Sequence, residues 1–454
     1  MWITRYSPGL LVLTGWCLMA VIGHAQDASS PPWNQFRGPH GNGHSTAVNV
    51  PVDLSEESNL AWRTSLPGRG WSSPLILGDE IWLTTALETE ADPEPREPPP
   101  ESASGQGLSA FSVIQLQAIC LDRKTGDILR AVDLFSVEDP PLIHSMNSFA
   151  SPTPVADEQF VYCHFGTFGT AAVDRQSGEV VWRDTTHTID HETGPGSSPI
   201  LHDGLLIVHC DGTDEQYVCA LDARDGREVW KTERSGEMSP VGMYKKAFST
   251  PIVIRRGDHQ ELVSAAANWV YAYDPATGRE LWRVSYGQLG FSNVARPLMH
   301  DQLLLVCSCF MKSRMLAIDV SGSQPVNDDR IQWTYQGQVP NMPSPIVVEG
   351  MVYFASDRGI VTCVDATSGE KQWQQRLAGA CSASPVLADG YLFLGDHEGV
   401  LHVLQPSPEG LQVIASNPLD GRIMASPAAV DESLFVRTDQ SLYHFRKPAD
   451  GPDR

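Results

Sequence analysis

A phrase of the form Ala-x-Asp, a short Gly-containing turn and then Trp recurs along the chain, and it constrains the fold more tightly than any other feature. It reads Ala172-Val-Asp174, Gly178, Trp182; then Ala220-Leu-Asp222, Gly226, Trp230; then Ala272-Tyr-Asp274, Gly278, Trp282. Looser copies are Ala317-Ile-Asp319 with Trp333, and Cys363-Val-Asp365 with Gly369 and Trp373. A unit repeated at a fixed period cannot bury its apolar face alone, so the copies must pack on one another.

A second marker precedes each unit: a hydroxyl residue, Pro, and an apolar run. It stands at Ser73-Pro74, Ser151-Pro152, Ser198-Pro199, Thr250-Pro251, Ser344-Pro345, Ser384-Pro385 and Ser426-Pro427, with Arg296-Pro297 filling the one gap. The spacing is mostly about 40 to 50 residues, the period of a four-stranded propeller blade. The third unit shows the internal order: Pro199 to Leu201, the turn Asp203-Gly204, Leu205 to Val208, Tyr217 to Leu221, a second turn through Asp222 and Gly226, and Glu228 to Trp230. The eighth unit stops after Leu442 to Phe445 with no Trp-bearing strand, whereas Leu60-Ala-Trp62-Arg63 matches Val181-Trp182-Arg183. The pattern therefore predicts an all-β chain: an eight-bladed β-propeller of four-stranded antiparallel blades over residues 58–447. The N-terminal strand pairs with the C-terminal blade, closing the ring and removing an exposed sheet edge.

Each slot has a physical task. Gly permits a tight turn, Asp bonds backbone N–H groups within it, and Trp supplies a large plate with one donor for docking on the next blade. Trp62, Trp182, Trp230, Trp282, Trp333 and Trp373 fill that slot, so their expected role is structural. Arg130 and Ile414 stand near it in blades 1 and 7. The hydroxyls before each Pro are expected to satisfy backbone groups where strands begin.

Arg5, the apolar run Leu10 to Ile22 and Gly23-His24-Ala25 have the three-part form of an export signal. The expectation is a leader at 1–25 cleaved after Ala25, an extension at 26–57, a Pro/Glu-rich insertion at 86–112 within blade 1, and a tail at 448–454. The mature protein is then periplasmic or secreted, and no other apolar run is long enough for a transmembrane segment. Export permits disulfides. Eight cysteines lie beyond the leader, mostly in apolar strand patterns, and Cys210 with Cys219 is the best-placed pair. A formal charge of −23 with no basic patch argues against nucleic acid.

If strands A to D run from the axis outwards, the B–C and D–A loops share one face and the repeated Asp–Gly turns lie on the other. The variable loops carry the irregular chemistry. Thr186-His187-Thr-Ile-Asp190-His191-Glu192 offers metal-type ligands, but Gly194-Pro195-Gly196 argues for a loop rather than a ligand-aligning helix. Asp211-Gly-Thr-Asp214-Glu215 lacks the calcium-loop pattern. Asn268-Trp269, Lys312 with Arg314, Asp357-Arg358 and Asp396-His397-Glu398 occupy equivalent loops, and Lys245-Lys246 and Arg296 come from D–A connections. The candidate ligand or partner face is therefore His191, Asp211, Asp214, Lys246, Asn268, Arg296, Arg358 and His397. No catalytic, cofactor-binding or metal-ligating set is assigned, and no nucleophile-elbow, phosphate-loop or kinase motif occurs.

The repeat resembles the tryptophan-docking repeat of the pyrroloquinoline quinone (PQQ) dehydrogenases and their quinoprotein-like relatives, over nearly the whole mature chain. Trp33-Asn-Gln-Phe-Arg-Gly-Pro-His-Gly-Asn-Gly43 is similar to the opening of a group of secreted PQQ-like repeat proteins abundant in planctomycete-type bacteria. The dehydrogenases hold PQQ with Ca²⁺ over the axis, commonly beside a disulfide between adjacent cysteines; here Cys307-Ser-Cys309 is interrupted by one residue. The chain also resembles the BamB-type propeller lipoprotein of outer-membrane β-barrel assembly, which binds protein and carries no cofactor. It lacks that lipoprotein's lipidation signal, since Trp16 precedes Cys17. These resemblances imply an exported, non-catalytic binding or scaffold propeller engaging a protein or cell-envelope ligand. The alternative they imply is a PQQ- and Ca²⁺-dependent dehydrogenase.

Overall fold

The computed structural model describes residues 1–2, 30–55, 57–90, 107–287, 290–310, 312–377 and 379–448. Most of the expected leader and most of the C-terminal tail lie outside these residues. Eight four-stranded antiparallel sheets form the ring. Blade 1 comprises Leu75–Leu77, Glu80–Glu90, Phe111–Asp122 and Ile128–Glu138; blade 3 comprises Ile200–His202, Leu205–Asp211, Gln216–Asp222 and Glu228–Glu233. Blade 8 is completed from the other end of the chain: Leu60–Ser65 pairs with Ser441–Arg446, setting Trp62 opposite His444. The ring is an all-β propeller closed as the repeat count requires.

The Trp slot works through a constant register. Ala172 faces Trp182, Ala220 faces Trp230, Ala272 faces Trp282, Ala317 faces Trp333 and Cys363 faces Trp373, and a one-residue bulge follows each pair. The small residue leaves room for the indole, and the bulge adds local twist next to it. The indole N–H then donates to a carbonyl in the next blade's turn: Trp62 to Arg123, Trp182 to Ala223, Trp230 to Pro275, Trp333 to Ala366 and Trp373 to Ser407, at 2.8–3.2 Å. The turn Gly completes the joint, since a Cβ on Gly278 would lie 2.4 Å from Trp230 Cε3. Trp282 differs because blade 5 has no such Gly; its indole donates to the Glu261 carboxylate at 2.7 Å, which Arg256 also pairs. Arg130 fills the slot in blade 1, opposite Cys120 and donating to Gln176 O. In blade 7 the register puts Ala415 there, opposite Val403, and Ile414 points out at 47% exposure.

The inner ends of the blades are stitched by the marker hydroxyls. Backbone N–H groups of Ser73, Thr153, Ser198, Arg296, Ser344 and Ser384 donate to the side-chain oxygens of Thr153, Ser198, Thr250, Ser344, Ser384 and Ser426 respectively, each one blade onward. Pro follows each hydroxyl because its missing N–H has no partner to lose there. In blade 2 the marker is therefore Thr153-Pro154. The Ser151-Pro152 dipeptide read from sequence lies just upstream, where Ser151 Oγ instead donates to Asn147.

Two further departures concern added segments. The blade 1 insertion is narrower than 86–112: strand B continues to Glu90 and strand C begins at Phe111, with Ala86 to Thr89 paired to Leu116 to Val113. The Pro-rich part, residues 91–106, lies outside the described residues. Leu108–Ser109 pairs with Ile143–His144 and ties the insertion's base to the loop after strand D.

Residues 30–50 run through the middle of the ring. Ser30, Ala47, Val48 and Val50 bond Asp431 and Asp389 in the A–B turns of blades 8 and 7. Between these anchors the chain climbs along the innermost strands and returns. Trp33 bridges Ile76 in blade 1, Asn34 bonds Ala156 in blade 2, His44 reaches Val347 O in blade 6, and Ser45 bonds Ala429 in blade 8. At the top, Arg37 donates to the carbonyls of Ser344 and Pro345, beside the hydroxyl ring.

Candidate functional site: the loop face of the ring

The B–C and D–A loops meet on one face, and their contacts show how its charges are used. Asp357, in the B–C loop of blade 6, accepts from the backbone N–H groups of Asn341 and Met342 in the preceding D–A loop, and from Asn341 Nδ2. Burial pushes the Asp357 carboxyl above its usual range despite these donors. Asp439 accepts from Arg422 N in the same way, and Asp214 from Asp190 N. These carboxylates latch one loop to the next, because a loop N–H near the core needs an acceptor.

The sequence-predicted residues divide into three groups. The first is engaged internally in blades 2 to 4. Lys246 and Glu192 form a buried ion pair. Asp211 lies between Arg234 (3.0 Å) and His209 (3.0 Å); burial alone would raise its carboxyl, but the Arg234 charge and the contacts with both side chains hold it below the usual range. The His191 ring stacks on Phe248 and its Nε2 accepts from Thr167 N at 3.0 Å, and burial lowers it to about 4. Asn268 is buried at φ +64°, its N–H donating to Gly290 O. Asp214 and Asp190 clamp adjacent loops, with Thr213 Oγ1 donating to Asp190 at 2.8 Å.

The second group is Arg296 alone, which is 5% exposed and points into the channel instead of joining a surface funnel. It donates to Phe36 O (2.7 Å), Pro251 O (3.1 Å) and Gln35 Oε1 (3.3 Å). The channel segment is built around this guanidinium: a Cβ on Gly41 would lie 2.3 Å from Arg296 Nη1, and Gly41 has φ +65°. Burial lowers Arg296 to about 9; burial and then the Arg296 charge lower Arg37 to about 9 as well.

The third group faces outward. His397 Nε2 lies 2.7 Å from Ser382 Oγ, and burial followed by the Arg422 charge lowers its ring below the ordinary histidine range. Arg358 is exposed and lines a cleft of about 400 Å³ between blades 5 and 6. Lys312, Arg314, Gln338, Asn341 and Asp357 line it too. Sequence reasoning named Lys312, Arg314, Asp357 and Arg358 as separate loop features and did not name Gln338 or Asn341; the ring brings them together. Sequence reasoning also missed three exposed apolar residues in loops of this face, Met146, Val241 and Phe310, the last at 42% exposure. Phe310 lies 6.1 Å from Phe291, which lies 4.9 Å from Tyr244.

Among the described residues no three His, Cys, Asp or Glu converge on a point able to hold a metal ion. Cys307 and Cys309 are separate buried thiols, and Cys309 Sγ donates to Asn341 O at 2.9 Å. Cys210 and Cys219 touch across one hairpin, likewise as free thiols.

Known proteins resemble this chain in its repeat and in its fold. A family model described as outer membrane protein assembly factor BamB matches residues 78–375 and 214–451. The BamB of Yersinia pestis is 25% identical over 291 residues, 62% of this chain and 70% of that protein. Among solved structures, BamB from Moraxella catarrhalis superposes with a TM-score of 0.58 at 13% identity, covering 86% of this chain and 99% of that one. The quinohemoprotein alcohol dehydrogenase of Comamonas testosteroni superposes with a TM-score of 0.63 at 12% identity, covering 93% and 82%. At these identities the two structures share the fold alone.

Proposed function

The chain belongs to the family of outer membrane protein assembly factor BamB, and from that premise we propose that it is an exported, non-catalytic scaffold that engages a protein partner through the loop face of the ring. The observation that carries this reading is the channel segment. A propeller that binds a cofactor or small molecule needs a concave seat on its axis; here residues 30–50 fill the inner ring with their own backbone and two buried guanidiniums. What remains accessible is a broad loop surface. It carries exposed Met146, Val241 and Phe310, a distribution characteristic of protein-contact surfaces.

Photo-crosslinking from single positions tests the assignment. A crosslinker at Val241 or Phe310 should give a discrete adduct in the exported fraction, and one at Asp225, on the turn face, should give none. Equal adducts from both faces, or none from the loop face, would refute it. Titration with PQQ and Ca²⁺ should leave the absorbance of the cofactor unchanged; saturable binding with dye-linked alcohol oxidation would replace this reading with the dehydrogenase one.

A further inference from the structure

The cleft between blades 5 and 6 is electropositive on a chain whose formal charge is −23. Lys312, Arg314 and Arg358 line it, and none of the three makes a side-chain ion pair among the described residues. Elsewhere on the same face Lys246 is matched by Glu192, Arg234 by Asp211 and Arg422 by Asp439. The one acid in the cleft, Asp357, offsets at most one of the three charges, and its oxygens are turned to the N–H groups of Asn341 and Met342 rather than paired with a cation. Three cations left without partners in a concave site on an acidic protein mark a place where an anion arrives from outside.

The lining narrows the class of anion. It contains no aromatic ring, so it offers no platform for stacking a sugar or a base. It does contain Gln336, Gln338 and Asn341, whose amides can both donate to and accept from a peptide backbone. Two guanidiniums suit planar carboxylates, which they bind through paired N–H donors. Two residues before Lys312 stands exposed Phe310, which heads the aromatic run through Phe291 to Tyr244.

We propose that this cleft is the recognition site for an acidic peptide segment of the partner, its carboxylates on Lys312, Arg314 and Arg358 and an adjacent apolar side chain on Phe310. The proposal rests on the loop-face reading above and adds the chemistry of what docks there.

The test uses the full exported chain and a synthetic peptide, acetyl-Glu-Asp-Phe-Glu-Asp-amide, followed by calorimetry or fluorescence anisotropy. Saturable binding is expected at low salt, weakening by about tenfold or more between about 0.05 M and about 0.5 M NaCl as charges are screened. Arg314→Glu and Arg358→Glu should each reduce affinity by about tenfold or more, with Arg227→Glu on the turn face as the unchanged control. Phe310→Ser should weaken this peptide but not a version with Gly in place of Phe. None of the three varied positions is buried, so equal melting temperatures will show that the variants fold. Binding that survives both charge reversals overturns the proposal. So does a cleft that prefers inorganic phosphate or a sulfated oligosaccharide to the peptide. Failure here with loop-face crosslinks intact removes only the peptide assignment; loss of those crosslinks removes the scaffold reading itself.

Discussion

Replacing Trp62 by Ala probes ring closure at its single non-sequential joint. The indole is 9% exposed, packs 5.3 Å from His444 and 6.3 Å from Phe435, and lies where a Cβ on Gly126 would come within 2.6 Å. Its N–H donates to Arg123 O at 3.0 Å. Truncating a packed Trp to Ala costs about 3–5 kcal/mol in transfer and cavity terms. Leaving a part-buried carbonyl without its donor adds about 1 kcal/mol. For roughly 390 ordered residues, unfolding entropy is about 0.8 kcal/mol per degree, so a loss of about 4–6 kcal/mol lowers Tm by about 5–7 °C. Trp62→Phe keeps an aromatic plate and loses the donor, and should fall between. Val181→Ala, on the exposed outermost strand of blade 2, should shift Tm by less than about 1 °C. Differential scanning calorimetry reads all three. If Trp62→Ala matches Val181→Ala, the ring is closed by something other than this joint, and the reasoning fails.

Three other outcomes follow from the same contacts. Gly278→Ala and Gly350→Ala both place a side chain at positive φ, but only at Gly278 does the new Cβ meet an indole, so urea unfolding should show the larger loss there by about 1 kcal/mol or more; equal losses would mean the Gly–Trp contact carries no energy. Burial lowers His164 to about 3 and His191 to about 4, so both are neutral in the fold and bind protons once unfolded. Their stability contribution is complete above pH about 6.5 and is lost as pH falls towards about 4, at up to about 1.4 kcal/mol per pH unit for each. His187 has the opposite sign: burial alone would lower it, but the hydrogen bonds it donates to the Asp184 and Glu228 carboxylates raise it, so its contribution is lost as pH rises. A urea midpoint that is flat from pH 6.5 to 4, or a His191→Gln variant with an unaltered slope, would contradict these environments. Finally, Arg37→Met removes the guanidinium that holds the carbonyls of Ser344, Pro345 and Asn42, and should expose the channel segment to limited proteolysis without opening the blades; a segment as resistant as the wild type's would show that Arg37 does not hold it.

The blade number, the strand order and the closure were legible in the sequence because each depends on local spacing. An Ala–Trp pairing recurs at one register, and a Gly stands where an indole of the preceding blade must fit. Errors arose where two copies of a signal lay close together. Ser151-Pro152 and Thr153-Pro154 both satisfy the marker, and only the blade-to-blade bond from Thr153 N to Ser198 Oγ separates them. Ile414 and Ala415 are likewise adjacent, and the bulge decides which one faces inward.

The channel segment was hidden for a different reason. Arg37 and Arg296, which flank Gly38, Gly41 and Gly43 in space, are 259 positions apart in the chain, so nothing local announces that one guanidinium sits against a glycine beside the other. Charge on the loop face was illegible on the same principle. Composition places Lys246, Arg234, Arg314 and Arg358 in one class; what distinguishes them is whether a carboxylate from another loop is within reach and is still free to pair. Glu192 and Asp211 meet that condition for the first two. Asp357 lies in the same cleft as Arg314 and Arg358 and fails it, because its oxygens already hold the backbone of Asn341 and Met342. The acidic excess of the chain therefore does not extend to this cleft: its acid fixes the architecture of the loops, and its cations are left for whatever the ring meets.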